Sequence, residues 1–318
     1  MSEKMLVRNI EPEVMTGIEQ LAQLHDRSVE GEARQALRAW VENHKTKGTQ
    51  PSPRSAELAA RLNQMLTEVN SGRQGPNFTP SKIAEGIGEE GAEDVESWFL
   101  GQKEPTFLQL EAIAKFFGIR SDWLKHGDAS IFPVEYIRLS EDPYEAVDWL
   151  LRWNPGDVND KEPVDTLYLI RANTKCGELY IVKKSKKQHY KVFHTPMHIS
   201  EEIGAGGESM LTTFFVTLEL LYKRYCRNGP QVNGVLLENE EVTKLMSGDT
   251  HPLKIIGRSR SMWWEDLWDE QQADKLSYWP GCAELYHNIN DAISRKSYLL
   301  EIRQHIRGGK LERPEDAI

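Results

Sequence analysis

Three histidines lie close together in the sequence, and two of them have a spacing that metal sites use. His194 and His198 are four residues apart, which on a helix would place both imidazoles on one face for a zinc ion. Pro196 lies between them, however, and "VFHTPMHIS" has the pattern of a strand that leads into a loop. With His189 the set does not have the geometry of a helical zinc site, so we predict no metal site and no cofactor.

Two further patterns could support catalysis or ligand binding. Cys282 and His287 could act as a nucleophile and base only on one face with a third, orienting group, which the sequence does not show. "EIGAGGES" (202–209) could hold an anion, but it lacks the ending of a phosphate loop, and we favour a turn before a helix. Trp264 and Trp268 share a helical face, which predicts core or subunit contact, with an aromatic ligand pocket as the alternative. We therefore predict no catalytic residue and no enzyme.

Length and charge limit the class of protein. The 318 residues are enough for two or three domains, and the net charge of −10 argues against a uniformly basic nucleic-acid coat. No run approaches the roughly 20 apolar residues of a membrane helix, and the N-terminus has no signal segment, so we expect no membrane partner. Cys176, Cys226 and Cys282 are odd in number and far apart, which favours a reducing, cytoplasmic location.

The first 44 residues have one strand-like and two helical patterns. In "KMLVRNI", Lys4, Leu6 and Arg8 alternate with apolar residues and would face one side of a strand. Pro12 then begins a helix with one apolar stripe, and Ser28 caps a second helix with another. So short a segment cannot bury two stripes alone, and a lone strand has unpaired edges. We predict an intertwined dimer in which two strands pair antiparallel.

This order of elements resembles the ribbon-helix-helix DNA-binding proteins of the Arc, MetJ and FitA type. "VRNIEPEV" followed by "DRSVEGEARQAL" is similar to the FitA-like antitoxin pattern over about residues 4–43. The resemblance implies that the paired strands enter the major groove, with Lys4, Leu6 and Arg8 facing base edges. Leu6 departs from the polar residue often found there. The N–H groups of Ser28 and Val29 would hold a phosphate beside Arg27.

The next segment resembles the lambda-repressor-like (Xre-type) helix-turn-helix domain. The resemblance rests on "GQKEPTFLQLEAIAKFFGIRSDWLKHG" (101–127) and covers about residues 55–128. Proline 80 stands where the family often has a DNA-contacting Gln, and "GEEGAEDVESWFLG" has five acidic residues where the recognition helix is expected. Carboxylates repel phosphates, so we favour a spacer, dimer contact or partner dock. In the alternative, Lys82 and Lys103 anchor phosphates while one carboxylate reads a base.

The remaining residues predict an α+β domain of no family that the sequence identifies. "DTLYLIRA", "GELYIVKK" and "HYKVF" have the pattern of an antiparallel meander, and helices are predicted near residues 209–226 and 282–306. We expect the lysines around one hairpin tip to form a solvated turn, with a second phosphate contact as the alternative; they are Lys183, Lys184, Lys186, Lys187 and Lys191.

Together these patterns predict a multidomain DNA-binding protein. Its parts are a ribbon-helix-helix domain at 1–44, a linker at 45–54, an all-α helix-turn-helix bundle at 55–128, and an α+β oligomerisation or sensor domain with an antiparallel sheet at 129–318. We predict a transcriptional regulator, a repressor, that binds a double-stranded operator as a dimer or higher oligomer. The alternative is an adaptor or antitoxin-like protein that docks a protein partner.

Overall fold

The computed structural model describes residues 7–47, 52–73, 75–157, 162–202, 204–257 and 259–313. Its α-helices, numbered α1 to α14 in chain order, are Pro12–Leu24, Val29–Lys47, Pro53–Ser71, Pro80–Ile87, Glu93–Phe99, Phe107–Phe117, Ser121–His126, Pro143–Leu151, Ala205–Asn228, Asn239–Ser247, Pro252–Ile256, Trp263–Asp266, Cys282–Ser294 and Ser297–Arg307. Its β-strands, numbered β1 to β5, are Val134–Tyr136, Thr166–Ala172, Glu178–Lys184, Tyr190–His198 and Gln231–Leu237.

Helices α1 and α2 pack against each other but bury little. Ala22 and Glu32 are buried between them. Most of the apolar residues on the two helices are exposed in the single chain, and we call the following set the exposed stripe: Val14, Leu21, Leu24, Leu37 and Val41. Residues Val7–Ile10 are not paired as a strand within one chain. Since the predicted ribbon pairs two copies, one chain does not test it.

Helices α3 to α7 form a compact helical bundle with its own core, made of Leu58, Leu62, Met65, Ile83, Val95, Trp98, Leu110, Ile113, Phe117, Leu124 and neighbouring residues. The Thr79 hydroxyl accepts a hydrogen bond from the Lys82 amide at 3.4 Å, with Pro80 at the first helical position. Gly118 ends α6 in the left-handed conformation, at φ +65°. Ile131 and Phe132 belong to this core as well, so it extends beyond the predicted boundary at residue 128.

The C-terminal sheet is mixed, with the strand order β1-β4-β3-β2-β5. Its centre is antiparallel as predicted, because β3 pairs antiparallel with both β2 and β4. The expectation of a purely antiparallel sheet is wrong at both edges, where β1 lies parallel to β4 and β5 lies parallel to β2. Parallel neighbours need long crossovers, and such non-local pairing leaves no signal in a single strand's pattern.

Both faces of the sheet are covered. Leu167, Leu169 and Ile181 belong to a core shared with α8, α9 and the C-terminal helices. Tyr168 and Ile170 alternate with them along β2 and pack in a second core with α10 and α11. Burial on both faces explains why the sequences of these strands are nearly continuous runs of apolar residues. The single predicted helix near 282–306 is two helices, because the chain leaves helical geometry at Lys296, at φ −111° and ψ 94°.

The bundle and the sheet domain are joined by close contacts around His251. Its ring packs edge-on against Phe132 and Tyr190, and a Cβ added at Gly72 would overlap it. Its Nδ1 atom accepts a hydrogen bond from the Leu253 amide at 3.2 Å, which leaves the imidazole neutral. Burial lowers the pKa of His251 to about 4. This junction therefore depends on a histidine that resists protonation.

Replacing His251 with asparagine is expected to reduce the pH dependence of stability. The unfolded histidine takes up a proton below about pH 6.5, whereas the folded one does so only near pH 4, so acid favours the unfolded state. At pH 5 this difference contributes about 2 kcal/mol against folding. The fall in unfolding free energy between pH 7 and pH 5 should be smaller by about that amount in His251→Asn, measured by urea titration.

Exposed His287 provides the matched control for this measurement. His287→Asn should keep the pH dependence of the unmodified chain. An equal fall in unfolding free energy for the unmodified chain and His251→Asn would contradict the assignment to His251.

Candidate nucleic-acid interface

The corner between α1 and α2 brings together Arg27, Ser28 and Val29, three of the residues assigned to phosphate binding. Asp26 turns the chain at φ +50°, and the Ser28 hydroxyl then accepts a hydrogen bond from the Gly31 amide at 3.1 Å. The first amides of a helix have no partner within that helix and lie at the positive end of its dipole. Ser28 is exposed, so this helix start can be reached by a phosphate oxygen.

The Glu32 side chain holds the corner between α1 and α2 in place by contacting residues on both sides of the turn. Its buried carboxylate lies 2.9 Å from His25 Nδ1 and 3.3 Å from an Arg27 Nη atom. The hydrogen bond with His25 keeps the pKa of Glu32 below its ordinary value, with the nearby Arg27 charge acting in the same direction. Arg27 is thereby oriented, and part of its charge is balanced within the chain. The sequence pattern alone does not predict the contact between His25 and Glu32, although their seven-residue spacing across the turn is compatible with it.

The residues assigned to base reading lie at or before the start of the described chain. Arg8 precedes α1 and is exposed. Lys4 and Leu6 lie outside the described residues. Among the described residues no side chain forms an ion pair or hydrogen bond with Arg8, and the placement of the three residues on one face stays a prediction.

The two lysines assigned to the bundle differ in their surroundings. Lys82, in the first turn of α4, is exposed and donates from Nζ to the Asn77 carbonyl at 2.8 Å. Lys103 follows α5, and its ammonium lies 2.6 Å from a carboxylate oxygen of Asp94. The charge of Lys103 is therefore partly balanced by the acidic helix itself, whereas Lys82 has no carboxylate within 4.0 Å among the described residues.

The acidic segment around α5 presents carboxylates to solvent. Glu90, Glu93 and Glu96 are exposed, while Glu89 accepts a hydrogen bond from the Gln109 side chain at 2.9 Å. The inward residues of α5 fill the bundle core, so its helical position is set by packing and its outward face is free to be acidic. This face would repel a phosphate backbone and attract a basic surface.

The lysine-rich hairpin between β3 and β4 is only partly a solvated turn. Lys186 and Lys187 are exposed at its tip, but Lys183 is wholly buried, which corrects the expectation for this residue. The Lys183 amine caps the end of α8 by donating to the Trp149 and Arg152 carbonyls, and it lies 3.5 Å from the centre of the Trp149 ring. Burial lowers the pKa of Lys183 to about 6.

Several of the other residues considered for chemistry pack against neighbouring residues of the described structure. The His189 ring bonds to the Phe116 carbonyl at 2.9 Å, and the His194 ring packs against Tyr136. Cys282 is buried in the core, where burial raises its thiol pKa to about 11, while His287 is exposed on another face of α13. Trp264 is buried in the same core.

One comparison with known proteins identifies the N-terminal segment. Residues 4–41 match the model of the family described as antitoxin FitA-like, ribbon-helix-helix. This match supports a ribbon-helix-helix domain at the N-terminal end of the chain. No curated protein and no solved structure is significantly similar to the chain. Among the described helices, none combines the length and apolar character needed to cross a membrane.

Proposed function

We propose that the chain is a sequence-specific DNA-binding regulator, a repressor, that acts as a homodimer through its N-terminal domain. The observation that carries the proposal is the family match over residues 4–41, since ribbon-helix-helix domains dimerise and insert paired strands into the major groove. The exposed stripe supports dimerisation, because a second copy would bury it. In this proposal Arg8 recognises guanine, and the amides of Ser28 and Val29 bind a phosphate of the DNA backbone.

The helical bundle has a different part in this proposal. We assign it the lambda-repressor-like helix-turn-helix fold, but as a spacer or partner dock rather than as the main reader of DNA. The exposed Glu90, Glu93 and Glu96 oppose phosphate binding, and Asp94 balances Lys103. Of the two bundle lysines assigned to DNA contact, Lys82 is the better placed for a phosphate of the DNA backbone. The sheet domain is assigned to oligomerisation or sensing, and the proposal gives the chain no catalytic step.

A second candidate function is antitoxin-like docking of a protein partner. Two observations favour it, namely the antitoxin description of the matched family and the exposed acidic face of α5. A small basic protein would complement that face. Co-purification of such a partner, lost when Glu93 and Glu96 are both changed to lysine, would support docking over direct regulation.

Replacing Arg8 with alanine is expected to weaken operator binding by about 1–3 kcal/mol and to relax specificity at one base pair. Genomic fragments would first be captured with the full chain, and the affinities of the enriched fragments would then be measured. Glu93→Ala provides the contrast, since it should change affinity little or tighten it slightly by removing repulsion.

Discrete promoter fragments whose capture depends on Arg8 would support a regulator whose ribbon recognises the operator sequence. Capture that is unaffected by Arg8→Ala would contradict the ribbon assignment. A large loss with Glu93→Ala would instead assign base reading to the acidic helix.

A further inference from the structure

A cleft separates the helical bundle from the hairpin between β3 and β4. Its volume is about 680 Å³, which lies within the roughly 300–1,000 Å³ of small-molecule sites. One wall comes from α3, α4 and α6 of the bundle, and the other from the hairpin tip and His251. The cleft lies between two separately packed cores, a common place for ligand sites.

The two walls are held at a fixed separation by contacts at the base of the cleft. His189 joins the hairpin to α6 through the 2.9 Å hydrogen bond to the Phe116 carbonyl. On the other side, the buried His251 ring lies so close to Gly72 that no side chain fits there. Both contacts join the bundle wall of the cleft to the opposite wall.

Aromatic rings make up much of the bundle wall. Phe78 packs edge-on against Phe116 at 5.6 Å and against Phe117 at 5.0 Å between ring centres. Phe78 and Phe116 are half-buried, so part of each ring is available to the cleft. Such a wall favours a flat, apolar group.

The charge around the cleft is positive, in contrast to the chain as a whole. The described lining residues include Arg73, Lys115, Lys186 and Lys187 and contain no Asp or Glu, although the chain carries a net charge of −10. Within the described chain, neither Lys115 nor Lys186 has a carboxylate within 4.0 Å, and Lys187 has only a distant one at 3.8 Å. Uncompensated cations on facing walls concentrate positive potential between them.

Arg73 joins the aromatic and cationic parts. Its guanidinium lies 4.0 Å from the centre of the Phe78 ring, and its Nε atom donates to the Pro76 carbonyl at 2.8 Å. These contacts fix the side chain, and no described residue accepts a hydrogen bond from its Nη donors, which can therefore bind an anion.

We propose that this cleft binds a small anionic ligand that carries an aromatic ring, of the size and chemistry of an aryl phosphate or a nucleoside monophosphate. The ring lies against Phe78 and Phe116, and the anion lies between Lys115 of the bundle and Lys186 of the hairpin. A ligand held in this way contacts both the bundle and the sheet domain. This assignment is independent of the proposed DNA binding, since none of these residues belongs to the N-terminal domain.

The test uses 1-naphthyl phosphate, whose ring is fluorescent, as the probe with the full chain. Inorganic phosphate has the charge without the ring, and 1-naphthol has the ring without the charge. We expect saturable binding of naphthyl phosphate and at least roughly tenfold weaker binding of either control compound. Lys115→Glu and Lys186→Glu should each weaken naphthyl phosphate binding by roughly tenfold.

Lys244→Glu makes the same charge change on the exposed face of α10, away from the cleft, and should change affinity by less than roughly twofold. The proposal is overturned if naphthyl phosphate does not saturate, if naphthol binds as tightly, or if Lys244→Glu weakens binding as much as the cleft variants do. It is also overturned if a duplex oligonucleotide displaces the probe in a Lys115-dependent manner, because the cleft would then be a DNA-backbone contact.

Discussion

Leu37→Asp is expected to leave the protein monomeric and to abolish operator binding. Leu37 belongs to the exposed stripe and is 45% exposed in the single chain. In the proposed dimer it would be buried against the second copy, and an unpaired carboxylate in an apolar interface costs several kcal/mol. The dimer dissociation constant should therefore rise by roughly a hundredfold or more. Sedimentation equilibrium of the full chain measures this change directly.

The same substitution at an exposed leucine outside the N-terminal domain is the control. It distinguishes a specific loss of the dimer interface from a general effect of the added charge on solubility. Leu108 lies on the bundle and is 77% exposed. Leu108→Asp should therefore leave the molar mass in sedimentation equilibrium at that of the dimer. Loss of the dimer in Leu108→Asp but not in Leu37→Asp would assign the interface to the bundle. A monomeric unmodified chain would contradict the proposed dimer altogether.

Glu219→Ala is expected to destabilise the sheet domain by about 3–5 kcal/mol, because it leaves a buried arginine without its counter-charge. The Glu219 and Arg303 side chains are 2% and 7% exposed, and Arg303 Nε lies 2.7 Å from one Glu219 oxygen. The other oxygen accepts from Arg307 at 2.9 Å. These contacts join α9 to α14 across the interior of the domain, where the remaining Arg303 donors bond to Asn290 and the Trp268 carbonyl.

Glu208 provides a control on the same helix. Glu208 lies 4.0 Å from Arg295, and the two side chains are 44% and 65% exposed, so Glu208→Ala should cost less than about 1 kcal/mol. The double change Glu219→Leu with Arg303→Met should be less destabilising than Glu219→Ala, because it removes both buried charges and keeps the volume. Urea unfolding followed by tryptophan fluorescence measures all three variants. Equal losses for Glu219→Ala and Glu208→Ala would contradict the argument.

Local features of the sequence predicted local structure well. The helical start at Pro12 and the cap at Ser28 depend on residues only a few positions away, and each is present in the structure. The match of residues 4–41 likewise confirms the prediction that rested on the order of elements around Pro12 and Ser28.

Features that depend on distant partners were not predicted. Lys183 was expected in a solvated turn, and only the packing of α8 across β3 explains why its amine is buried under Trp149. The parallel pairing of β1 and β5 at the edges of the sheet was not predicted for the same reason, because it too depends on distant partners. The cationic cleft also depends on folding, since Arg73 follows α3, Lys115 lies in α6, and both line the cleft together with the hairpin tip.

The strand order has a consequence for how the chain is made. Thr166 of β2 pairs with Gln231 of β5, whereas the bundle is complete once Phe132 is present. As the chain leaves the ribosome, the bundle can fold early, but β2 keeps an open edge until Leu237 follows. We expect nascent chains that pause between these points to expose this edge, and to depend on chaperones there more than at any earlier stage of synthesis.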